Sequence, residues 1–383
     1  MATTTLNIQA NDVLLCNAGS STLKLLPRPL GPAKDSYAEI VQFTGDARAL
    51  CDALAEALHN QTAPKAILHR IVHAGPVTEH AQLMNEDTVH RIAHWAILAP
   101  LHNPLALKLY EILRTTWPHI PQYAVFDSGL YSELPEESAQ YPLPSALSAR
   151  WPLRRYGFHG LAHRSQWRNA RAASRNAGMP EPHRFISIHL GGGCSMSAWL
   201  GDRVIDTSMG FTPLEGLMMS TRSGSVDPGI ILHLLQQEGM DATALNSLLT
   251  KHSGLAALAP GQGDMRKIMA SNSPEAKLAI NQYCYQIRKQ LGAYIAALGG
   301  IDAISIGGGV GENQAQVRER IFTPLLELGI ALDSQRNQQA QGVCALHHTD
   351  SKTAIWLTPV NEMEEMLSQY VELESHQRGG THE

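Results

Sequence analysis

Apolar residues recur along the chain in short runs that stop at glycine or small polar residues, with longer stretches of helical spacing between them. Val13-Leu14-Leu15-Cys16 runs straight into Asn17-Ala18-Gly19-Ser20-Ser21-Thr22-Leu23-Lys24. The run 66–73 stops at the breaker pair Gly75-Pro76, and Tyr123-Ala124-Val125-Phe126 ends at Asp127-Ser128-Gly129. Branched and aromatic runs bounded by turn formers predict strands. Helical spacing covers 47–58 and 105–113, and strands alternating with helices argue for an α/β layer architecture. The stretch 134–152 carries prolines at 135, 142, 144 and 152 and reads as an inter-domain connection. Beyond it the theme returns. Residues 185–190 feed Gly191-Gly192-Gly193-Cys194-Ser195, and 303–306 feed Gly307-Gly308-Gly309-Val310-Gly311-Glu312-Asn313 after a helix-compatible segment, 274–298. Three strand-to-glycine turns, two in comparable places of the two halves, predict a duplicated architecture.

Composition narrows the class. A chain of 383 residues predicts two domains at about 150 residues each. With 44% apolar and 17% charged residues it is globular rather than disordered. Lys+Arg number 30 against 35 Asp+Glu, a net charge of −5, so the basic footprint of a nucleic-acid binder is missing. No apolar run approaches the length of a spanning helix, and the opening MATTTLNIQAND lacks the basic and apolar regions of a secretory signal. Five scattered cysteines without a CxxC pair fit a reducing compartment. The expectation is a cytoplasmic protein with neither membrane nor nucleic-acid partner.

Strands that end in small residues leave backbone N–H groups facing a crevice, where they receive anions, and glycine lets a phosphate come close. One such turn is weak evidence, because tight turns need glycine equally often; three of them suggest phosphate held between two domains. None matches the GxxxxGK[ST] loop or a dinucleotide fingerprint. Ionisable residues stand at the strand ends. Arg70 lies in an apolar run and needs an anionic partner, a ligand or a neighbouring carboxylate. Asp127 could hold magnesium or merely start a turn. Arg222, in a polar loop, suits bidentate recognition of phosphate or carboxylate. His159, flanked by glycine and aromatics, reads as a site residue or as a packed histidine. The pairs His69/His73 and His159/His163 have i, i+4 spacing but lack the HExxH glutamate, which leaves a zinc hydrolase well behind the phosphate reading.

The segments NAGSSTLK (17–24), HRIVHAG (69–75), LAPLHNP (98–104), YGFHG (156–160), DTSMGFTPLEGLMMSTRSG (206–224), GGGVGEN (307–313) and PVNE (359–362) together resemble the acetate kinase family. That family lies within the superfamily of acetate and sugar kinases, actin and heat-shock ATPases. The resemblance implies a duplicated actin-like ATPase fold with the active site in a cleft between its two domains. These would be 1–145 plus 363–383, with the first phosphate loop, and 146–362, with the second loop and the adenosine motif. It also implies a homodimer and reversible in-line transfer of the γ-phosphoryl of ATP to a short carboxylate, acetate to acetyl phosphate, with magnesium, or manganese as an alternative ion. By motif, Ser20, Thr22 and Lys24 belong to the first phosphate loop. Arg70 and Arg222 flank the carboxylate and the transferring phosphoryl, and His159 hydrogen-bonds the phosphoryl in flight. His189, Leu190, Gly191, Gly192 and Gly193 form the second phosphate loop. Asp127 and Glu362 hold the metal directly or through water, with Asn17 beside them. Asp264, Met265 and Arg266, with Gly309, Val310, Gly311 and Asn313, line the nucleotide site, and Val72, Leu101, Phe158 and Pro213 wall a slot for the substrate methyl.

A carboxylate is already ionised at pH 7 and needs no general base, so such a site must hold two anions in line against their repulsion. The chain also departs from the family pattern. It reads HLGGG where HLGNG is usual, Met265 where Phe is usual, and DSGLY where DTAFH is usual. The butyrate kinase branch has a similar triple glycine, which keeps a propionate- or butyrate-preferring enzyme as the alternative, beside a catalytically weak ATP-binding member.

Overall fold

The computed structural model describes residues 6–19, 22–30, 39–42, 54, 56–78, 80–100, 102–148, 150–259, 261 and 263–379. The chain divides into two compact units, Met1–Ser132 with Asn361–Glu383, and Glu133–Val360.

The first unit is built on strands β1 (Asp12–Ala18), β2 (Thr22–Pro29), β3 (Glu39–Gln42), β4 (Ala66–Ile71), β5 (Gln82–Leu83) and β6 (Gln122–Phe126), in sheet order β3-β2-β1-β4-β6-β5. β1, β2 and β3 form an antiparallel meander, while β1, β4 and β6 run parallel. Every residue of β1 is buried, as expected of a central strand covered on both faces. Helix α1 (Glu86–His94) starts at Asn85, whose side chain accepts from Thr88 N, a cap worth about 1 kcal/mol. Helix α2 (Asn103–Thr116) buries Leu109 and Leu113 with Leu14 and Cys16. The C-terminal helix, Glu362–Gly379, packs Tyr370 edge-on to Tyr123 at 5.1 Å between ring centroids.

The second unit repeats the plan. Strands β7 (Arg184–Leu190), β8 (Cys194–Leu200), β9 (Arg203–Thr207), β10 (Ala303–Gly307), β11 (Cys344–Ala345) and β12 (Ala354–Leu357) stand in the order β11-β12-β10-β7-β8-β9. Again a meander, β7-β8-β9, leads into parallel β7, β10 and β12. In both units a two-residue strand, β5 or β11, pairs antiparallel with the last parallel strand. The duplication expected from the glycine turns is therefore explicit in the topology. Helix α3 (Gly160–Asn176) precedes β7, and the segment expected to be helical over 274–298 is helix α4, Pro274–Leu298. Its bounds follow from Ser273 as N-cap, proline in the first turn, and Gly299 at φ +67° as C-cap.

Several expectations change. The strand 66–73 ends at Ile71, two residues earlier. The segment 134–152 is no loose connection. It contains the short helices Glu136–Ala139 and Ser145–Ser148, and Arg155 N donates to Ala139 O at 2.6 Å. Residues 133–145 therefore belong to the second unit, and the expected boundaries at 145 and 362 fall at 132 and 360. GGGVGEN is a helix, Gly308–Asn313, rather than a turn. The helix expected over 47–58 lies mostly outside the described residues.

Candidate active site

In the first unit three residues reach the carboxyl ends of the parallel strands, where open α/β sheets bind ligands: Asn17 on β1, Arg70 on β4 and Asp127 just past β6. Arg70 donates through Nε at 3.1 Å and Nη2 at 2.5 Å to Asp127 Oδ2, and through Nη1 at 3.2 Å to Asn17 Oδ1. Its Nη1 also lies 3.2 Å from Glu362 Oε2, which accepts from Asn17 Nδ2 at 3.3 Å. Burial opposes the guanidinium charge, but the Asp127 and Glu362 carboxylates outweigh it and raise the Arg70 pKa. Glu362 stands at the first turn of the C-terminal helix, where a carboxylate also complements the helix dipole.

These residues fit a divalent cation. Two carboxylates face one guanidinium, leaving an excess negative charge, and the buried Asp127 Oδ1 has no hydrogen-bond partner among the described residues. Magnesium is held by one or two carboxylates and keeps water and substrate oxygens in its other positions. Among the described residues no three His, Cys, Asp or Glu side chains gather in a way that could hold a metal by themselves.

In the second unit His159, the fourth residue of the YGFHG segment, stands at φ +58°, a left-handed conformation uncommon outside glycine. From there it caps α3. Its Nδ1 lies 2.9 Å from Ser195 Oγ, and its ring centre is 4.9 Å from that of His189. A Cβ at Gly193 would stand 2.6 Å from His159 Cε1, so glycine there lets the ring lie on the β7–β8 turn. That turn is tied to the loop 208–224 by Ser220 N, which donates to Gly192 O at 3.2 Å. Within the loop Arg222 Nη1 donates to Pro213 O at 3.0 Å and lies 3.6 Å from Met219 Sδ. No carboxylate answers it among the described residues, and burial lowers its pKa. Glu215 anchors the loop by accepting from Arg155 Nη2 at 3.0 Å and from Tyr141 Oη.

The remaining expected residues are placed as follows. Ser20 and Leu101 lie outside the described residues, as does the side chain of Thr22. Lys24 is exposed on β2, opposite Asn17. Val72 is half-buried in the first unit; Phe158, buried, and Pro213, half-buried, stand in the second. The Leu190 and Met265 side chains are core residues, so only their backbone is available to a ligand. Asp264 caps helix Met265–Ala270 and pairs with the exposed Arg266, whose hydrogen bond draws the Asp264 carboxyl down to about 2. A Cβ at Gly263 would stand 2.5 Å from Ser220 O, so this motif abuts the Arg222 loop. Gly309 and Asn313 are exposed, Val310 is half-buried and Gly311 buried.

Two features escaped sequence reasoning. Glu312 Oε1 accepts from Gly308 N at 2.9 Å and Val360 N at 3.2 Å, fastening the start of the glycine-rich helix Gly308–Asn313. Ser195 bridges His159 and His163, the latter at 2.8 Å. Alternation of Ser195 and Ser197 with Met196 and Ala198 was the available signal for strand β8.

The duplicated sheets, with the β7–β8 glycine turn and basic residues at strand ends, form an actin-like fold. The sequence profile of the acetokinase family matches residues 32–369. The acetate kinase of Syntrophobacter fumaroxidans is 39% identical over 333 residues, 85% of this chain and 80% of that protein. That of Sulfurovum sp. is 41% identical over 310 residues, covering 79% and 77%. Among solved structures, Porphyromonas gingivalis acetate kinase superposes with a TM-score of 0.81 at 31% identity, covering 94% of this chain and 98% of its own. A Francisella tularensis propionate kinase gives 0.80 at 30%, with the same coverage. The chain belongs to the acetokinase family and is a kinase.

Proposed function

We propose that this kinase transfers the γ-phosphoryl group of ATP reversibly to acetate, giving acetyl phosphate and ADP. The observation that carries the reading is Arg222, a guanidinium drawn out of water and answered by a carbonyl and a thioether instead of a carboxylate. Such a group is ready to receive an anion bidentately. The acceptor is already a carboxylate, so no base is required, and catalysis consists of positioning plus charge neutralisation. Arg222 receives the anion, with Pro213 beside it. His159, held over the Gly191–Gly193 turn, donates to the phosphoryl as negative charge spreads over its oxygens. Arg70 contacts the carboxylate of the substrate while Val72 limits the space beyond. Asp127 and Glu362, with Asn17, would hold magnesium, which would supply positive charge to offset that of the phosphates. Relatives named for acetate and for propionate support a short carboxylate as the acceptor, and the reading includes a cytoplasmic homodimer.

A hydroxamate assay for acyl phosphate, run with ATP and magnesium across formate, acetate, propionate and butyrate, tests it. Acetate should give the highest kcat/KM. A butyrate optimum would favour the longer-chain reading, and no acyl phosphate with any acid would refute the proposal.

A further inference from the structure

Four hydrogen bonds run in series from the core of the second unit to its candidate catalytic histidine. Trp199 Nε1 donates to Ser187 Oγ at 2.9 Å, and Ser187 Oγ lies 2.7 Å from His163 Nδ1. His163 Nε2 lies 2.8 Å from Ser195 Oγ, which is 2.9 Å from His159 Nδ1. Ser187, His163, Ser195 and Trp199 are all 0% exposed, so each proton must find its acceptor within the protein.

The order of these groups fixes the direction of every bond. An indole N–H only donates, so Ser187 Oγ accepts from Trp199. The Ser187 hydroxyl proton then has one acceptor within reach among the described residues, His163 Nδ1. Burial, with His189 beside it, holds the His163 pKa well below its ordinary value, so the ring is neutral with a single N–H. With Nδ1 accepting, that proton stands on Nε2 and is donated to Ser195 Oγ. The Ser195 hydroxyl proton is left for His159 Nδ1.

We infer that Trp199, Ser187, His163 and Ser195 form a directional relay that holds His159 with Nδ1 bare and its proton on Nε2. His159 Nε2 borders Gly193, where an added Cβ would stand 3.0 Å away. The relay thus presents an N–H donor at the β7–β8 turn, whereas the opposite tautomer would present a lone pair that repels a phosphoryl oxygen. His163 and Ser195 are positioning residues, since they act through His159. The kinetic consequence rests on the function proposed above; the tautomer does not.

Nitrogen-15 NMR of histidine-labelled protein reads the tautomer directly, with His159 assigned by the signals lost in His159→Gln. Wild-type protein should show a pyridine-type Nδ1 and a pyrrole-type Nε2 at His159; a pyrrole-type Nδ1 overturns the relay. Ser195→Ala should mix the two tautomers and lower kcat about tenfold, the scale of one lost hydrogen bond. Both KM values should stay within about twofold, because the loss falls on the transition state. His163→Gln keeps a donor and an acceptor and should retain several times the kcat of His163→Leu; equal losses would reduce His163 to packing and overturn its role. If the wild-type protein makes no acyl phosphate, the proposed function fails while the NMR result still decides the relay.

Discussion

Replacing Arg70 with methionine isolates what its charge does in the first unit, because the new side chain keeps length and loses the guanidinium. Breaking a buried ion pair costs about 3–5 kcal/mol, chiefly because the remaining charge is stranded. Asp127 is 1% exposed and takes both of its bonds, at 3.1 and 2.5 Å, from this one guanidinium. Its other oxygen has no hydrogen-bond partner among the described residues, so nothing else compensates the carboxylate. Glu362 is 20% exposed and can turn to water, adding little. The expected loss for Arg70→Met is therefore about 4 kcal/mol, nearly all of it from Asp127. Adding Asp127→Asn removes the stranded charge, and the double variant should regain more than half of the loss. Urea denaturation of the two single variants and the double closes the cycle. A loss below about 1 kcal/mol, the level of a surface pair, or a double variant no more stable than Arg70→Met, would refute the reasoning.

Arg222 should behave in the opposite way. Arg222→Ala removes a half-buried cation that no described carboxylate offsets, so the urea midpoint should hardly move while kcat falls at least ~100-fold. Arg222→Lys should recover part of that, and full activity in the alanine variant would remove the proposed role. Val72→Ala should shift preference from acetate toward propionate by about 1–3 kcal/mol, the worth of one methylene, read as the ratio of kcat/KM values; an unchanged ratio rejects Val72 as a wall. Burial draws His69 and His73 down to about 4, the Gln122 bond opposing it at His69. Their folded pKa values lie below the ordinary 6.5, so their contribution is complete above about pH 6.5 and is lost as pH falls toward 4. The urea midpoint should decline across that window, and His69→Gln should flatten the decline.

How much of this the sequence carried depended on whether the signal was local. Helix α4 was readable to the residue because Ser273, Pro274 and Gly299 mark both ends in the chain itself. The duplicated plan was readable from glycine turns, but β5 and β11 span two residues each and show no period. Prolines in 134–152 suggested a linker, yet Tyr141 reaches Glu215 and Phe211 N, contacts that depend on folding. Arg70 was seen to need an anion, either a ligand or a neighbouring carboxylate, and its partners in the fold are the carboxylates of Asp127 and Glu362. The bond from Asn17 to Glu362 spans a separation of 345 residues, which no spacing rule reaches. His159 was singled out by its glycine and aromatic flanks, but the role of His163 was hidden, because the serines that join the two rings come from strands β7 and β8.

The return of Asn361–Glu383 to the first unit has a consequence for the order of events on the ribosome. Arg28, Lys65 and Arg70 find Glu364, Glu374 and Glu362 as partners, and none of those glutamates exists until Glu133–Val360 has been translated. At ~5–20 residues per second, the opening segment waits on the order of ten seconds or more with its sheet uncovered by that helix. The later-made unit, contiguous in sequence, has everything it requires first. Synthesis thus inverts the usual N-to-C order: the first segment to be made is the last to mature, and a released chain truncated after Val360 should resist protease over Glu133–Val360 while Met1–Ser132 is still cut.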